Sequence, residues 1–220
     1  TFGTTVKVSI FGESHAPKIG CTIEGLPAGF TVNLAALKAF LQRRSPSHPW
    51  DTPRKEVDDP KFISGISAKG TLDGSLLTAE LPNNNVQPQD YTDTKLVPRP
   101  GHADFSAWAK WRESYKQTGG GHFSARLTAP LCIAGGIALQ ILHAQGITIA
   151  AHVLKIKDIN DTPFELVDNS VEANKLLTLQ INQLLQAAPQ ELPFLDAQAG
   201  EKTRTLLTQL RSEKNTVGGI

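Results

Sequence analysis

The stretch Val97–Pro130, VPRPGHADFSAWAKWRESYKQTGGGHFSARLTAP, organises the rest of the chain. It carries two of the six histidines, three arginines and a run of three glycines. Arg99-Pro100-Gly101-His102-Ala103-Asp104 sets a guanidinium, a titratable ring and a carboxylate around a proline–glycine bend. Gly119-Gly120-Gly121 lacks side chains, so its backbone can approach a ligand closely or adopt positive φ. Ser124-Ala125-Arg126 follows, and an apolar run opens at Pro130. A glycine loop feeding a helix start leaves backbone N–H groups for an anion. A turn and a long proline-stiffened loop would explain any single residue here, but not the whole constellation.

The 220 residues can bury a proper core as one large domain or two small ones, and residues 1–220 are read as a single domain. A net charge of +1 argues against wholesale nucleic-acid binding, which needs many uncompensated phosphate contacts. Cys21 and Cys132 sit among apolar neighbours and read as buried free thiols of a reducing cytosol. No signal peptide is evident, and no apolar run reads as long enough to cross a bilayer. With no methionine anywhere, the sequence is expected to begin after a processed or omitted residue. CxxC, HExxH, P-loop, GxSxG and GxGxxG patterns are all missing, so a Rossmann nicotinamide site has no support.

Taken in order, Thr5–Phe11 alternates Val6, Val8 and Ile10 with polar positions and predicts a half-buried strand ending at Gly12-Glu13-Ser14-His15. Ile19–Gly25 predicts a second strand. Asn33 caps a helix over Leu34–Arg44, and Pro46 stops it. Arg43-Arg44 and Arg54-Lys55 flank a proline-rich loop, Ser45 to Trp50. They read either as cations at a helix C-terminus or as a basic loop that closes over phosphate. Glu56, Asp58 and Asp59 follow at once, which counts against an RNA-binding patch. Phe62–Gly65 and Leu76–Leu81 predict strands around a Gly70/Gly74 turn, and Asn83 to Pro88 a loop. Leu131–Gln145 predicts an apolar helix, with Gly135-Gly136 marking close packing. Ile147–Ile156 alternates as another strand. Val171–Ala187 and Ala197–Glu213 predict amphipathic helices without chemistry. Thr216–Ile220 reads as the first residues of a strand. His143 and His152 read as structural.

Three separated motifs, Phe11-Gly12-Glu13-Ser14-His15, Arg99 to Asp104, and Gly119-Gly120-Gly121 with Ser124-Ala125-Arg126, together resemble the chorismate synthase family. Arg43-Arg44, Thr52-Pro53-Arg54-Lys55-Glu56 and Gly25-Leu26-Pro27-Ala28-Gly29 fit in the same order along essentially the whole chain. The resemblance implies an α+β fold, a β-α-β sandwich of helices packed between antiparallel sheets, incomplete in this chain. It implies a lyase that removes phosphate and a hydrogen from 5-enolpyruvylshikimate 3-phosphate to give chorismate, with reduced FMN required. His15 would donate a proton near the departing phosphate, and His102 would manage flavin protonation. Arg44, Arg99, Ser124 and Arg126 would hold substrate. His122, Phe123 and Ser124 would touch FMN. No metal is implied. NADPH is one reductant in the family and outside reductants are the other. The family is cytoplasmic and homotetrameric, and its partner is the small-molecule substrate, with neither nucleic acid nor membrane.

The sequence departs from the commonest family wording at Ala16, at Ser45 and Ser47, and at His122-Phe123. Trp50 stands where many members have arginine. Members also continue well past Val217-Gly218-Gly219, with further flavin contacts and an aspartate used in catalysis. The 220 residues alone are therefore expected to fold in part without forming chorismate. The alternative reading is a non-catalytic domain that binds a phosphorylated metabolite or a partner chain.

Overall fold

The alternating apolar positions of the first half form an antiparallel sheet. Its strands are β1 (Lys7–Phe11), β2 (Lys18–Glu24), β3 (Lys61–Ser64) and β4 (Leu77–Pro82), in the order β1-β2-β4-β3. The computed structural model describes residues 1–51, 57–84, 97–112, 119–165, 170–187 and 191–220. They fall into two compact units, one of Thr1–Ser45 with Arg54–Ile147, the other of Pro46–Pro53 with Thr148–Ile220.

In the first unit the strand period of two puts Ile19, Cys21 and Ile23 of β2 on the same face as Leu77, Ala79 and Leu81 of β4, all almost fully buried. Burial pushes the Cys21 thiol up to about 12, so it stays a neutral apolar filler. Two helices cover that face, α1 (Leu34–Gln42) and α3 (Thr128–Ala144). α1 starts where the sequence predicts, since the Asn33 side chain accepts the Ala36 N–H at 2.9 Å. Gln140 of α3 bonds both backbone groups of Asn33, at 2.7 and 3.1 Å, and so pins the two helices together. Gly136 marks the close approach, because a Cβ there would meet Leu37 Cδ1 at 2.5 Å and Phe40 Cδ1 at 2.9 Å. Gly135 faces open space, so close packing belongs to only one glycine of the pair.

Two expectations need correction here. The helix begins at Thr128 rather than Leu131, since the first turn of a helix needs no N–H from Pro130. With the turn before it, the helical run Ala125–Ala144 is long and apolar enough to span a bilayer by length and composition, contrary to the sequence reading. In the fold, Ile133 and Ile137 of this run are fully buried in the core. The stretch 97–130 also holds a short helix, α2 (Asp104–Trp111), to which the sequence reading assigns no element.

The second unit contains a hairpin of β5 (Lys155–Ile156) and β6 (Ile159–Asn160) and two helices, α4 (Val171–Gln186) and α5 (Ala197–Ser212). Side-chain caps start both helices, Ser170 accepting from Ala173 N and Asp196 from Gln198 N. The strand predicted over Ile147–Ile156 is reduced to its last two residues. Alternation supplies a face but not a partner, and the amides of Val153, Leu154 and Lys155 go to the carbonyls of Pro193 and Ile220 instead. The predicted strand at Thr216–Ile220 is a single bridge, Ile156 to Gly219. The α+β class holds, with helices over an antiparallel sheet.

Candidate active site at one end of the sheet

The strand register decides where the polar residues gather. Phe11 pairs with Gly20, Lys18 with Pro82, and Lys61 with Glu80. The end of β1, the start of β2, the end of β4 and the start of β3 therefore share one end of the sheet. Three connections meet there: Gly12–Pro17, Asn83-Asn84, and Val57–Pro60.

Gly12 turns the first connection at φ 95°, where a Cβ would lie 2.7 Å from the Lys18 carbonyl oxygen, so only glycine fits. His15 is half-buried on this loop. Buried Asn83 holds the loop in place. Its Nδ2 donates to the carbonyls of Ala16 at 2.8 Å and Glu13 at 3.3 Å, and its backbone N–H to Pro17 O at 3.0 Å. Ser14 N–H donates to Gly121 O at 3.0 Å, which ties the loop to the triple glycine.

Arg44, just past the C-terminus of α1, and Arg126, just before α3, converge on one carboxylate. Arg44 Nη1 donates to Asp58 Oδ2, and Arg126 Nη1 to Asp58 Oδ1. The Asp58 and Arg126 side chains are 2% and 5% exposed, whereas that of Arg44 is 24% exposed. Arg126 Nε also donates to Asn83 Oδ1 at 3.0 Å, and the Ser124 hydroxyl accepts Arg126 N–H at 3.2 Å. Cys132 lies within reach of this pair. Burial raises its thiol pKa, Arg44 opposes that rise and Asp58 reinforces it, so the sulfur stays a thiol rather than a nucleophile.

Arg99 makes a two-pronged contact with Asp104, Nε to Oδ2 at 2.8 Å and Nη2 to Oδ1 at 3.1 Å. The same Nη2 reaches Gly119 O at 2.6 Å, joining the proline–glycine bend to the glycine loop. Asp104 opens α2, where the helix N-terminus favours a carboxylate. His102 lies between them and is exposed. The glycine loop does not run directly into α3. Two 3₁₀ turns intervene, Gly121–Phe123 and Ala125–Leu127, and the amides of Phe123, Ser124 and Leu127 are used inside them. That corrects the expectation of a glycine loop feeding straight into the helix start. In return the turns present His122 and Phe123 beside Trp111, with ring centroids 5.1 and 5.9 Å from the indole. Lys110 lies over the Trp111 ring at 4.8 Å, and Arg112 over Trp108 at 4.4 Å.

His15, Arg44, Arg99, His102, His122, Phe123, Ser124 and Arg126 all belong to the first unit. Hydrogen bonds link Arg44, Ser124, Arg126 and the His15 loop into one network. Arg54 and Lys55 lie outside the described residues. Trp50 stacks on His48 at 4.6 Å, and both belong to the second unit. Sequence reasoning missed Asp58 and Asn83, the two residues that join the others. The only available signal was positional: 58 and 83 continue the β3–β4 register beyond Lys61 and Glu80. Among the described residues no group of three or more His, Cys, Asp or Glu side chains could hold a metal.

Comparison with known proteins bears directly on this geometry. Residues 6–220 match the family model described as chorismate synthase. A chorismate synthase of Lancefieldella parvula is 90% identical over the whole chain, which covers 58% of that protein. One of Aeropyrum pernix is 32% identical, again over the whole chain and 54% of its own length. A crystal structure of chorismate synthase superposes with a TM-score of 0.69 at 21% identity, over 98% of this chain and 56% of that one, a likeness of fold. The chain thus spans a little over half the length of the relatives it matches.

Proposed function

The chain belongs to the chorismate synthase family, and on that premise we propose that the full-length protein eliminates phosphate from 5-enolpyruvylshikimate 3-phosphate to form chorismate. The observation that carries this reading is the cluster at one sheet end, where Asn83 links a histidine-bearing loop to Arg126, and Arg126 shares one buried carboxylate with Arg44. A substrate with phosphate and carboxylate groups needs fixed guanidiniums, and its leaving phosphate needs a proton or a cation.

In this reading Arg44, Arg99, Arg126 and Ser124 hold the substrate. His15 places a proton at its imidazole toward the departing phosphate oxygen, a role suited to a half-buried ring on a clamped loop. His102, exposed at the bend, would hold or release a proton for the flavin when it is bound. The residues present fit reduced FMN: Phe123 and His122, ring centroids 4.2 Å apart, form an aromatic cluster with Trp111, and cations stand over the neighbouring indoles. When bound, the reduced flavin supplies the electron-rich partner that the elimination needs, while this chain's residues supply position and field. Family membership also supports a cytoplasmic homotetramer in the shikimate pathway, with the flavin reduced by NADPH or by an outside reductant.

The test is an anaerobic assay of the full-length protein with excess reduced FMN and 5-enolpyruvylshikimate 3-phosphate. Chorismate identified by mass is the expected product. Binding of substrate without any product would favour a non-catalytic metabolite-binding domain instead.

A further inference from the structure

We propose that Asp58 and Asn83 are positioning residues, and that Asn83 couples the loop bearing His15 to the arginine pair. The inference rests on the reading that Arg44 and Arg126 hold an anionic substrate group near His15.

The chemistry of asparagine carries it. The side chain of Asn83 has one acceptor and two donors. The acceptor takes Arg126 Nε, and the donors reach the carbonyls of Glu13 and Ala16, which bracket His15. A movement of either partner is therefore felt by the other through one rigid amide. Aspartate at 83 would keep the acceptor but set an anion against two carbonyls. Leucine would keep the approximate volume and break both links. Asp58 does the complementary work by taking one N–H from each guanidinium on separate oxygens. That fixes the spacing of the two cations while the Arg44 side chain stays a quarter exposed. Both anchors are buried, at 6% and 7% exposure, and lie in the connections just before β3 and just after β4.

The test uses the full-length protein and its Asn83→Leu, Asn83→Asp and Asp58→Asn variants, with folding checked by circular dichroism. The first readout is the NMR titration of His15 with and without inorganic phosphate. In the parent, phosphate binding shifts that titration. In Asn83→Leu the shift is lost although phosphate still binds, and Asn83→Asp, which leaves Arg126 its acceptor, serves where the leucine variant does not fold. The second readout is steady-state kinetics. By analogy with groups that orient ligands from behind, kcat/KM falls about 10- to 100-fold, through kcat in the Asn83 variants and through KM in Asp58→Asn. A phosphate-induced His15 shift that is absent from the parent, or that survives in a folded Asn83 variant, overturns the coupling. Unchanged KM in folded Asp58→Asn overturns the role of Asp58. A parent that shows the shift but forms no chorismate leaves the coupling standing and removes the proposed activity.

Discussion

Each unit buries a carboxylate that ties separate segments together, Asp58 in the first and Asp161 in the second, and the two hold different things. Asp161 in the second unit accepts the backbone N–H groups of Leu195 at 2.8 Å and Asp196 at 2.7 Å, and His152 Nδ1 at 2.8 Å. It fixes a turn at the start of α5. Asp58 in the first unit accepts two guanidiniums from distant segments and fixes side chains. Equal burial thus serves the backbone in one unit and the side chains of the candidate site in the other. A carboxylate bonded to amides specifies fold, whereas one bonded to long cationic side chains specifies where charge is presented.

The sharpest test of that contrast is catalytic. His15→Ala and His102→Ala in the full-length protein should each lower turnover about 10²- to 10⁴-fold, the usual range for proton-handling residues. His152→Ala in the second unit should leave turnover per folded molecule within a few-fold. Steady-state assays with excess reduced FMN decide it, and similar losses for all three would erase the distinction.

Stability comes next. Asp58→Ala strands two guanidiniums, one of them almost fully buried, and should cost about 3–5 kcal/mol in urea unfolding. Asp161→Ala leaves backbone donors and a histidine unsatisfied, for about 1–3 kcal/mol. The contrast breaks if Asp161→Ala alters substrate affinity as strongly as Asp58→Ala does.

Arg99→Ala and Arg126→Ala should weaken substrate binding by roughly 1.5–3 kcal/mol each, as charge-assisted contacts do. Because Arg99 also braces Asp104 and Gly119, calorimetric titration must be paired with a folding check. Unchanged affinity in folded variants would make these arginines structural, like Asp161.

A smaller effect separates the paired glycines. Gly136→Ala forces a Cβ against Leu37 and Phe40 and should cost about 1–3 kcal/mol by overpacking. Gly135→Ala meets open space and should be neutral or stabilise by up to about 1 kcal/mol. Thermal melting of both variants tests this.

The gentlest probe is pH. Burial raises the Asp161 pKa, but the hydrogen bonds from Leu195, Asp196, His152 and Thr162 together outweigh it and leave the group below its ordinary value. The folded state then binds its proton less readily than the unfolded chain. Its contribution to stability is present above the ordinary carboxylate pKa of about 3.9 and is lost as pH falls through the depressed folded value. Urea midpoints of the parent and Asp161→Asn should converge on acidification, and parallel curves would disprove the assignment.

Much was legible in order along the chain. Alternation located β1 to β4 to within two residues at each end, and caps and helical spacing located α1, α4 and α5. The motif residues were named before any geometry, because glycine bends flanked by histidine and arginine are unusual locally. α2 was missed because its aromatic residues Phe105 and Trp108 are exposed, so no buried stripe announces it. The strand over Ile147–Ile156 was overcalled because period two describes one chain, whereas a strand exists only when a second backbone accepts its hydrogen bonds. Asp58 and Asn83 lay beyond sequence reasoning for a related reason. Their partners are 14 to 70 residues away, and only the tertiary fold brings them together. The sequence by itself determined which segments become strands and helices and which side chains carry charge, because those depend on neighbours along the chain. The tertiary structure alone decided which charges share a carboxylate, because that depends on how sheet register folds separate loops onto one end.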